Sequence, residues 1–206
     1  MTLRSVIVEQ FGKPHGPLGR IVGYILANRP SGAERSRWTV DLLELREGQD
    51  ILEIGCGPGL ALEKCLAAVA AGRVVGIDHS ELMIRQAGRR LHSCIESGRL
   101  KLQIGGLEIL YEETDAYDRI FSINVIQFLG DMDRVFALLL DRLKPGGLCA
   151  TTLQPRNQEA TRETALEAAR NMTCAMTKAG FEAVASHELT MEPTPAICIT
   201  GVKANH

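Results

Sequence analysis

Residues 50–59 read Asp-Ile-Leu-Glu-Ile-Gly-Cys-Gly-Pro-Gly, and no other stretch of the chain restricts its fold as strongly. Ile51, Leu52 and Ile54 form a short apolar run suited to a buried strand. Gly55, Cys56, Gly57, Pro58 and Gly59 then make a turn poor in side chains, and an Ala/Leu-rich helical pattern follows directly. Strand, glycine turn and helix in that order bring bare backbone close to a ligand at one edge of a parallel sheet. The turn also restricts which ligand. Pro58 has no N–H to offer an anion, and Glu53 sets a carboxylate beside the turn. A diphosphate is repelled there and a cation is attracted.

A second apolar run, Arg73-Val74-Val75-Gly76-Ile77-Asp78, ends in an acid about 20 residues after the glycine turn, where a carboxylate can accept hydrogen bonds from both ribose hydroxyls. S-adenosylmethionine carries both a sulfonium and an ammonium, so Glu53 beside this turn favours a methyl donor over a dinucleotide. Tyr117 to Asn124 reads as a further strand, and Leu143-Lys144-Pro145-Gly146-Gly147 as a helix end, a turn and the start of another strand. With these four motifs in order, Leu52–Gly59, Val75–Asp78, Asp118–Ser122 and Leu143–Gly147, the chain resembles the class I S-adenosylmethionine-dependent methyltransferases of the small-molecule type.

The resemblance implies an α/β fold with a doubly wound, mostly parallel seven-stranded sheet and a C-terminal antiparallel hairpin. It implies one domain over 1–206, with a helical cap at 1–48 and a Rossmann-like core at 49–206. It also implies where the donor sits: Glu53, Gly55, Cys56, Gly57 and Gly59 at the methionine moiety, Asp78 on the ribose, His79 and Met83 along the adenosine, and Asn124 in the loop beneath the methyl donor, where it can orient an acceptor or the donor's amino-acid end. One motif departs from the pattern. Many relatives have Gly-Asp-Ala after the third strand, the Asp meeting the adenine amino group, whereas this chain reads Ile104-Gly105-Gly106-Leu107-Glu108. Adenine is therefore expected to meet the backbone of Gly106 and Leu107; a side-chain carboxylate such as Glu108 on the adenine amino group would overturn this alignment of the third strand.

The rest of the chain fits this frame. Val22, Ile25 and Leu26, then Trp38, Leu42, Leu43 and Leu45, follow helical spacing on either side of Arg29-Pro30-Ser31-Gly32, which predicts two helices with a turn between. Strands are expected near 50, 73, 100, 117 and 147, and helices over 59–71, 80–97, 131–143 and 159–179. Alternation of this kind gives a parallel sheet covered on both faces. Phe181–Leu189 and Ala196–Lys203 are separated by a link too short for a crossover, which predicts the hairpin. Arg85, Arg89 and Arg90 lie off the apolar stripe of Ile84, Ala87, Leu91 and Ile95 and read as a solvated face.

A formal net charge of -2 and an aromatic content of 4% argue against nucleic acid as a partner. No apolar run approaches a membrane span or a signal peptide. The six cysteines have no C-x-x-C pair, so no zinc or other metal site is expected, and they read as reduced thiols of a cytoplasmic protein.

The expected partner is a small-molecule methyl acceptor, with S-adenosylhomocysteine as the second product. Its site is assigned to the N-terminal helices, the loop from Asn124 to Phe128, and the loop from Gln154 to Glu159, in which Gln154 and Arg156 can reach the acceptor pocket. Methyl transfer needs alignment more than acid–base help, and His15, Tyr24, Glu9 and Gln127 are the candidates should a base or an orienting group be required. Two rivals stand beside this reading. A nicotinamide-dependent oxidoreductase would share the strand, turn and acid, but would place glycine where Leu60 stands. A non-catalytic S-adenosylmethionine-binding protein would keep the fold without turnover. Oligomeric state is not legible in the sequence.

Overall fold

The computed structural model describes residues 30–112, 114–156 and 160–205. Helix α1 (Pro30–Asp41) leads into β1 (Ile51–Ile54), α2 (Leu60–Ala68) and β2 (Val74–Asp78). Helices α3 (Glu81–Arg90) and α4 (His92–Glu96) precede β3 (Leu100–Ile104), and α5 (Glu108–Glu112) precedes β4 (Tyr117–Ile123). A 3-10 turn (Ile126–Phe128), α6 (Met132–Arg142), β5 (Leu143–Leu153), α7 (Arg162–Ala179), β6 (Glu182–Leu189) and β7 (Ala196–Val202) complete the order. The strands form one seven-stranded sheet in the order β3-β2-β1-β4-β5-β7-β6. β1 to β5 are mutually parallel, and β7 enters antiparallel between β5 and β6. The expected doubly wound sheet with its terminal hairpin is therefore observed.

Both faces of the sheet are covered. Leu52, Ile54, Ile120 and Ile197 pack with residues of α6 and α7 on one side. Ile51, Phe121 and Ala150 pack with α1 and α2 on the other. Side chains alternate along a strand, so Glu53 shares the face of Ile51 and points under α2. This alternation is why an acid in the middle of an apolar strand is 3% exposed.

Several boundaries differ from the sequence expectation. The turn expected at Arg29–Gly32 is already helix from Pro30 on, since proline's fixed φ suits a first helical turn and its missing N–H has no partner to lose there. The preceding predicted helix, with Val22, Ile25 and Leu26, lies outside the described residues. The helix expected over 80–97 breaks at Leu91 (φ -116, ψ 26). The break keeps Leu91 buried against the second core layer, close to Gly59, while the chain turns toward β3. α5 was not expected, because five residues are too few to show a period. β5 begins at Leu143 rather than near 147. Tyr117 pairs with Leu143 and Arg119 with Leu148, so Lys144–Gly147 bulge out of the ladder. Gly146 takes φ +70 there and donates its N–H to the Lys203 carbonyl, which closes the β4–β5–β7 corner. Among the described residues no helix is long and apolar enough to cross a membrane.

Candidate active site

The chain winds outward from β1 in both directions, to β2 and β3 on one side and to β4 and β5 on the other. The crevice beyond the C-terminal ends of β1 and β4 is where such a sheet takes a ligand. Two loops close on each other there. A Cβ at Gly55 would meet Val125 Cγ2 at 2.3 Å, so the turn after β1 and the loop after β4 pack together only because position 55 is glycine.

The turn itself is internally saturated. The N–H groups of Gly55 and Cys56 both donate to the Ile77 carbonyl, at 2.8 and 3.0 Å. The Gly57 N–H donates to Asp78 Oδ2 at 2.8 Å, the Gly59 N–H donates to the Cys56 carbonyl, and Pro58 has none. Every backbone donor from 55 to 59 is therefore engaged within the protein. A phosphate cradle requires the opposite arrangement, with N–H groups turned to the ligand. Gly57 adopts φ +53 with open space where a Cβ would stand, so the turn offers a bare, donor-free surface.

Glu53 lies beneath this surface. Its carboxylate accepts from the Leu62 backbone N–H, while Oε2 is buried with no hydrogen-bond partner among the described residues. Burial first, and then the charge of Asp78, push the carboxyl well above the usual carboxylate range. An orphaned buried acid beside a surface without N–H donors suits a cationic group, and the ammonium and sulfonium of S-adenosylmethionine fit it. Asp78 closes β2 and is 7% exposed. Its Oδ1 accepts from the Ser80 N–H and its Oδ2 from the Gly57 N–H, both at 2.8 Å. A carboxylate has about four acceptor sites, so these two bonds leave capacity for ribose hydroxyls. Ser80 in turn caps α3 by accepting from the Met83 N–H.

The other predicted residues divide between the crevice and the frame around it. His79 is half-exposed, with Nδ1 3.8 Å from Asp78 Oδ1. Met83 is buried in the first turn of α3. Cys56 turns its side chain away from the crevice: it is 4% exposed, and its sulfur lies 3.1 Å from where a Cβ on Gly76 would be. Burial first, then Glu53 and Asp78, push its thiol well above the ordinary range, so it is a protonated packing group. The expectation for Gly106 also changes. Its N–H donates to Glu108 Oε1 at 2.7 Å and is not free for adenine. Leu107 is half-buried beside it.

Asn124 takes a left-handed conformation (φ +57). Its N–H donates to the Thr152 carbonyl, and its Oδ1 accepts from the Gln154 N–H at 2.7 Å. It braces the ends of β4 and β5 together. Gln127 is exposed and donates to the Asn124 carbonyl. His15, Tyr24 and Glu9 lie outside the described residues.

Two further groups stand here: Glu108, the side-chain alternative to backbone contacts with adenine, and Arg35, which sequence reasoning missed. Glu108, at the start of α5, puts its Oε2 2.8 Å from where a Cβ on Gly106 would be. Its carboxylate thus stands where the side chain of an acid at 106 would stand. Arg35, on α1, is 9% exposed and donates to Gln154 Oε1 at 2.5 Å. A signal for it existed: Arg35 precedes Thr39, Leu42 and Leu43 at helical spacing, so it is a cation on the inward face of a helix.

Comparison with known proteins agrees with this geometry. A methyltransferase-domain family model matches residues 52–149. The uncharacterized methyltransferase YdaC of Bacillus subtilis is 31% identical over 183 residues, covering 89% of this chain and 98% of that protein. The trans-aconitate 2-methyltransferase of Variovorax paradoxus is 28% identical across 62% of this chain and 48% of its own, so the chain spans about half the length of that relative. Among solved structures, phosphoethanolamine N-methyltransferase 2 of Haemonchus contortus in complex with S-adenosyl-L-methionine aligns with a TM-score of 0.68 at 18% identity, over 88% of this chain and 55% of that one. That likeness bears on the fold alone. Sheet, saturated turn and buried acid define a protein that binds S-adenosylmethionine. The chain belongs to the S-adenosylmethionine-dependent methyltransferase family, and S-adenosylmethionine is its cofactor.

Proposed function

We propose that the protein methylates a small-molecule acceptor held beside the ends of β4 and β5, with the donor lying across the turn at 55–59. The observation that carries this reading is the saturated turn over the orphaned Oε2 of Glu53. The donor supplies a methyl group already activated on a sulfonium. Glu53 binds its ammonium end, Asp78 the ribose, and the Gly55–Val125 contact fixes the floor of the crevice. The Asn124–Gln154 bond holds the acceptor wall at a set distance. Orientation of this kind can account for about 7–11 kcal/mol of the barrier. The segment before residue 49 acts as a cap, of which α1 is the described part. It is tied to the core by Thr39 and Thr152, whose hydroxyls are 2.7 Å apart. The trans-aconitate methyltransferase among the relatives supports a small acceptor. Six free cysteines support a cytoplasmic setting.

Two measurements test the reading. Calorimetric titration should give saturable binding of S-adenosylhomocysteine and none of NAD. Methyl label transferred from the donor into a cell extract should appear in the small-molecule fraction. Label confined to protein or nucleic acid would refute a small acceptor.

Adenine recognition is assigned to Glu108, in place of an acid at 106. The backbone N–H of Gly106, followed by its own backbone, holds the Glu108 carboxyl below the usual range, so it is an acceptor at neutral pH. The 6-amino group of adenine is a donor; the 6-oxo group of hypoxanthine is not. The protein should therefore prefer S-adenosylhomocysteine over S-inosylhomocysteine. In Glu108→Ala that preference should shrink by about two- to tenfold, the worth of one exposed hydrogen bond. Undiminished discrimination in the variant would return adenine recognition to the backbone.

A further inference from the structure

Arg35 is nine-tenths buried, yet its nearest polar partner is neutral. Its Nη1 donates to Gln154 Oε1, and its Nε is buried without a hydrogen-bond partner among the described residues. The same amide oxygen accepts from Arg156 Nε at 2.9 Å, while Arg156 Nη2 donates to the Ser31 hydroxyl at 3.0 Å. Two guanidinium groups, from α1 and from the segment after β5, thus converge on one uncharged oxygen. Burial first, and then the like charge of Arg156, pull Arg35 down to about 10, and no carboxylate of the described residues is among the influences on it.

Bracing Gln154 does not explain this pair. The Gln154 side chain is already fixed by its own donation to the Thr194 and Glu192 carbonyls, at 2.8 and 3.2 Å, and its N–H is fixed by Asn124. A single neutral donor would satisfy the remaining oxygen. A buried guanidinium with a like-charged neighbour is costly unless an anion joins it. The planar N–H fork of arginine matches the paired oxygens of a carboxylate or phosphate. The position is equally specific. Gln154 follows β5 and bonds to Asn124 after β4, and Asn124 adjoins Val125, which packs on Gly55 of the donor turn. The cations therefore stand at the acceptor side of the crevice.

We propose that Arg35 and Arg156 bind an oxyanion of the methyl acceptor, which makes the substrate a small organic acid bearing a carboxylate or a phosphate monoester. The proposal rests on the methyl-transfer reading for the location of the acceptor. Arg35 and Arg156 are binding groups for the charged end of the molecule. Another group of the same molecule faces the donor.

Calorimetry tests this in two stages, so that the two readings fail separately. Titration with S-adenosylhomocysteine alone fails only if the donor assignment is wrong. Titrations with tricarballylate, phosphoethanolamine and the uncharged triamide of tricarballylate are then run with and without S-adenosylhomocysteine. At least one acid should bind saturably and the amide should not, and the arm that binds identifies carboxylate or phosphate. In Arg35→Gln the acid should bind about tenfold to a hundredfold more weakly, with S-adenosylhomocysteine affinity unchanged, and Arg35→Lys should fall between. Arg35 also anchors α1, so Arg156→Gln, at an exposed residue, serves as the second variant and should lose affinity in the same direction. Absence of acid binding under both conditions, equal binding of the amide, or acid binding indifferent to both glutamine substitutions would overturn the proposal.

Discussion

Asp78→Ala is expected to lower donor affinity by about tenfold to several-hundredfold and to lower the melting temperature of the ligand-free protein as well. The affinity term follows from charge-assisted bonds to ribose hydroxyls, each worth roughly 1.5–3 kcal/mol. From the sequence alone, ribose binding and capping of the next helix look like alternatives for this residue. In the structure one carboxylate serves both ends of the crevice. Its Oδ2 holds the Gly57 N–H of the donor turn and its Oδ1 holds the Ser80 N–H at the start of α3. Removing it orphans one buried donor, the Ser80 N–H, at roughly 1–3 kcal/mol, and one part-buried donor, the Gly57 N–H, at less. For a domain of this size that corresponds to a loss of at least several degrees in melting temperature. Asp78→Asn separates the effects, since the amide keeps one oxygen acceptor and loses the charge. It should recover part of the melting temperature and little of the affinity. Parent-like melting and parent-like affinity in Asp78→Ala would remove this residue from both roles.

The same residue shows how far the sequence reached. Ile51–Gly59 and Val74–Asp78 could be read directly, because a buried strand, a side-chain-poor turn and a terminal acid are each local patterns. The antiparallel hairpin was equally local, since the link between Leu189 and Ala196 admits no crossover. What escaped depends on direction and tertiary contact. Cys56 sits within the donor motif, and nothing in the motif says that its thiol turns inward toward Gly76. Position 106 lacks an acid, and a reading by position alone assigned adenine to the backbone. A carboxylate does stand there, that of Glu108, because α5 starts two residues later and folds it back over Gly106. Arg35 lies more than a hundred residues from Gln154 in the chain. Its helical register was visible, but its partner was not.

Glu53→Gln should act with opposite signs on the empty and the loaded protein. In the empty protein the buried Glu53 carboxyl titrates well above its ordinary value of 4.5, through burial and the neighbouring charge of Asp78. The folded state then holds this proton more tightly than the unfolded chain does. Where the native state binds the extra proton, stability falls as pH rises. The contribution of Glu53 is thus complete below 4.5 and is lost as pH climbs through the raised folded-state value. Glutamine has no such loss. Ligand-free Glu53→Gln should therefore melt higher than the parent at neutral pH, with the difference closing as pH approaches 4.5. Donor affinity should move the other way, falling by about tenfold to a hundredfold with the loss of one charge-assisted bond to the ammonium. In the parent, a cationic donor favours the ionised acid, so binding at a pH where the empty site is protonated should release a proton. Titrations in two buffers of different ionisation enthalpy would detect it. A glutamine variant that melts below the parent at neutral pH and binds S-adenosylmethionine equally well would show that Glu53 is a framework residue with no part in holding the donor.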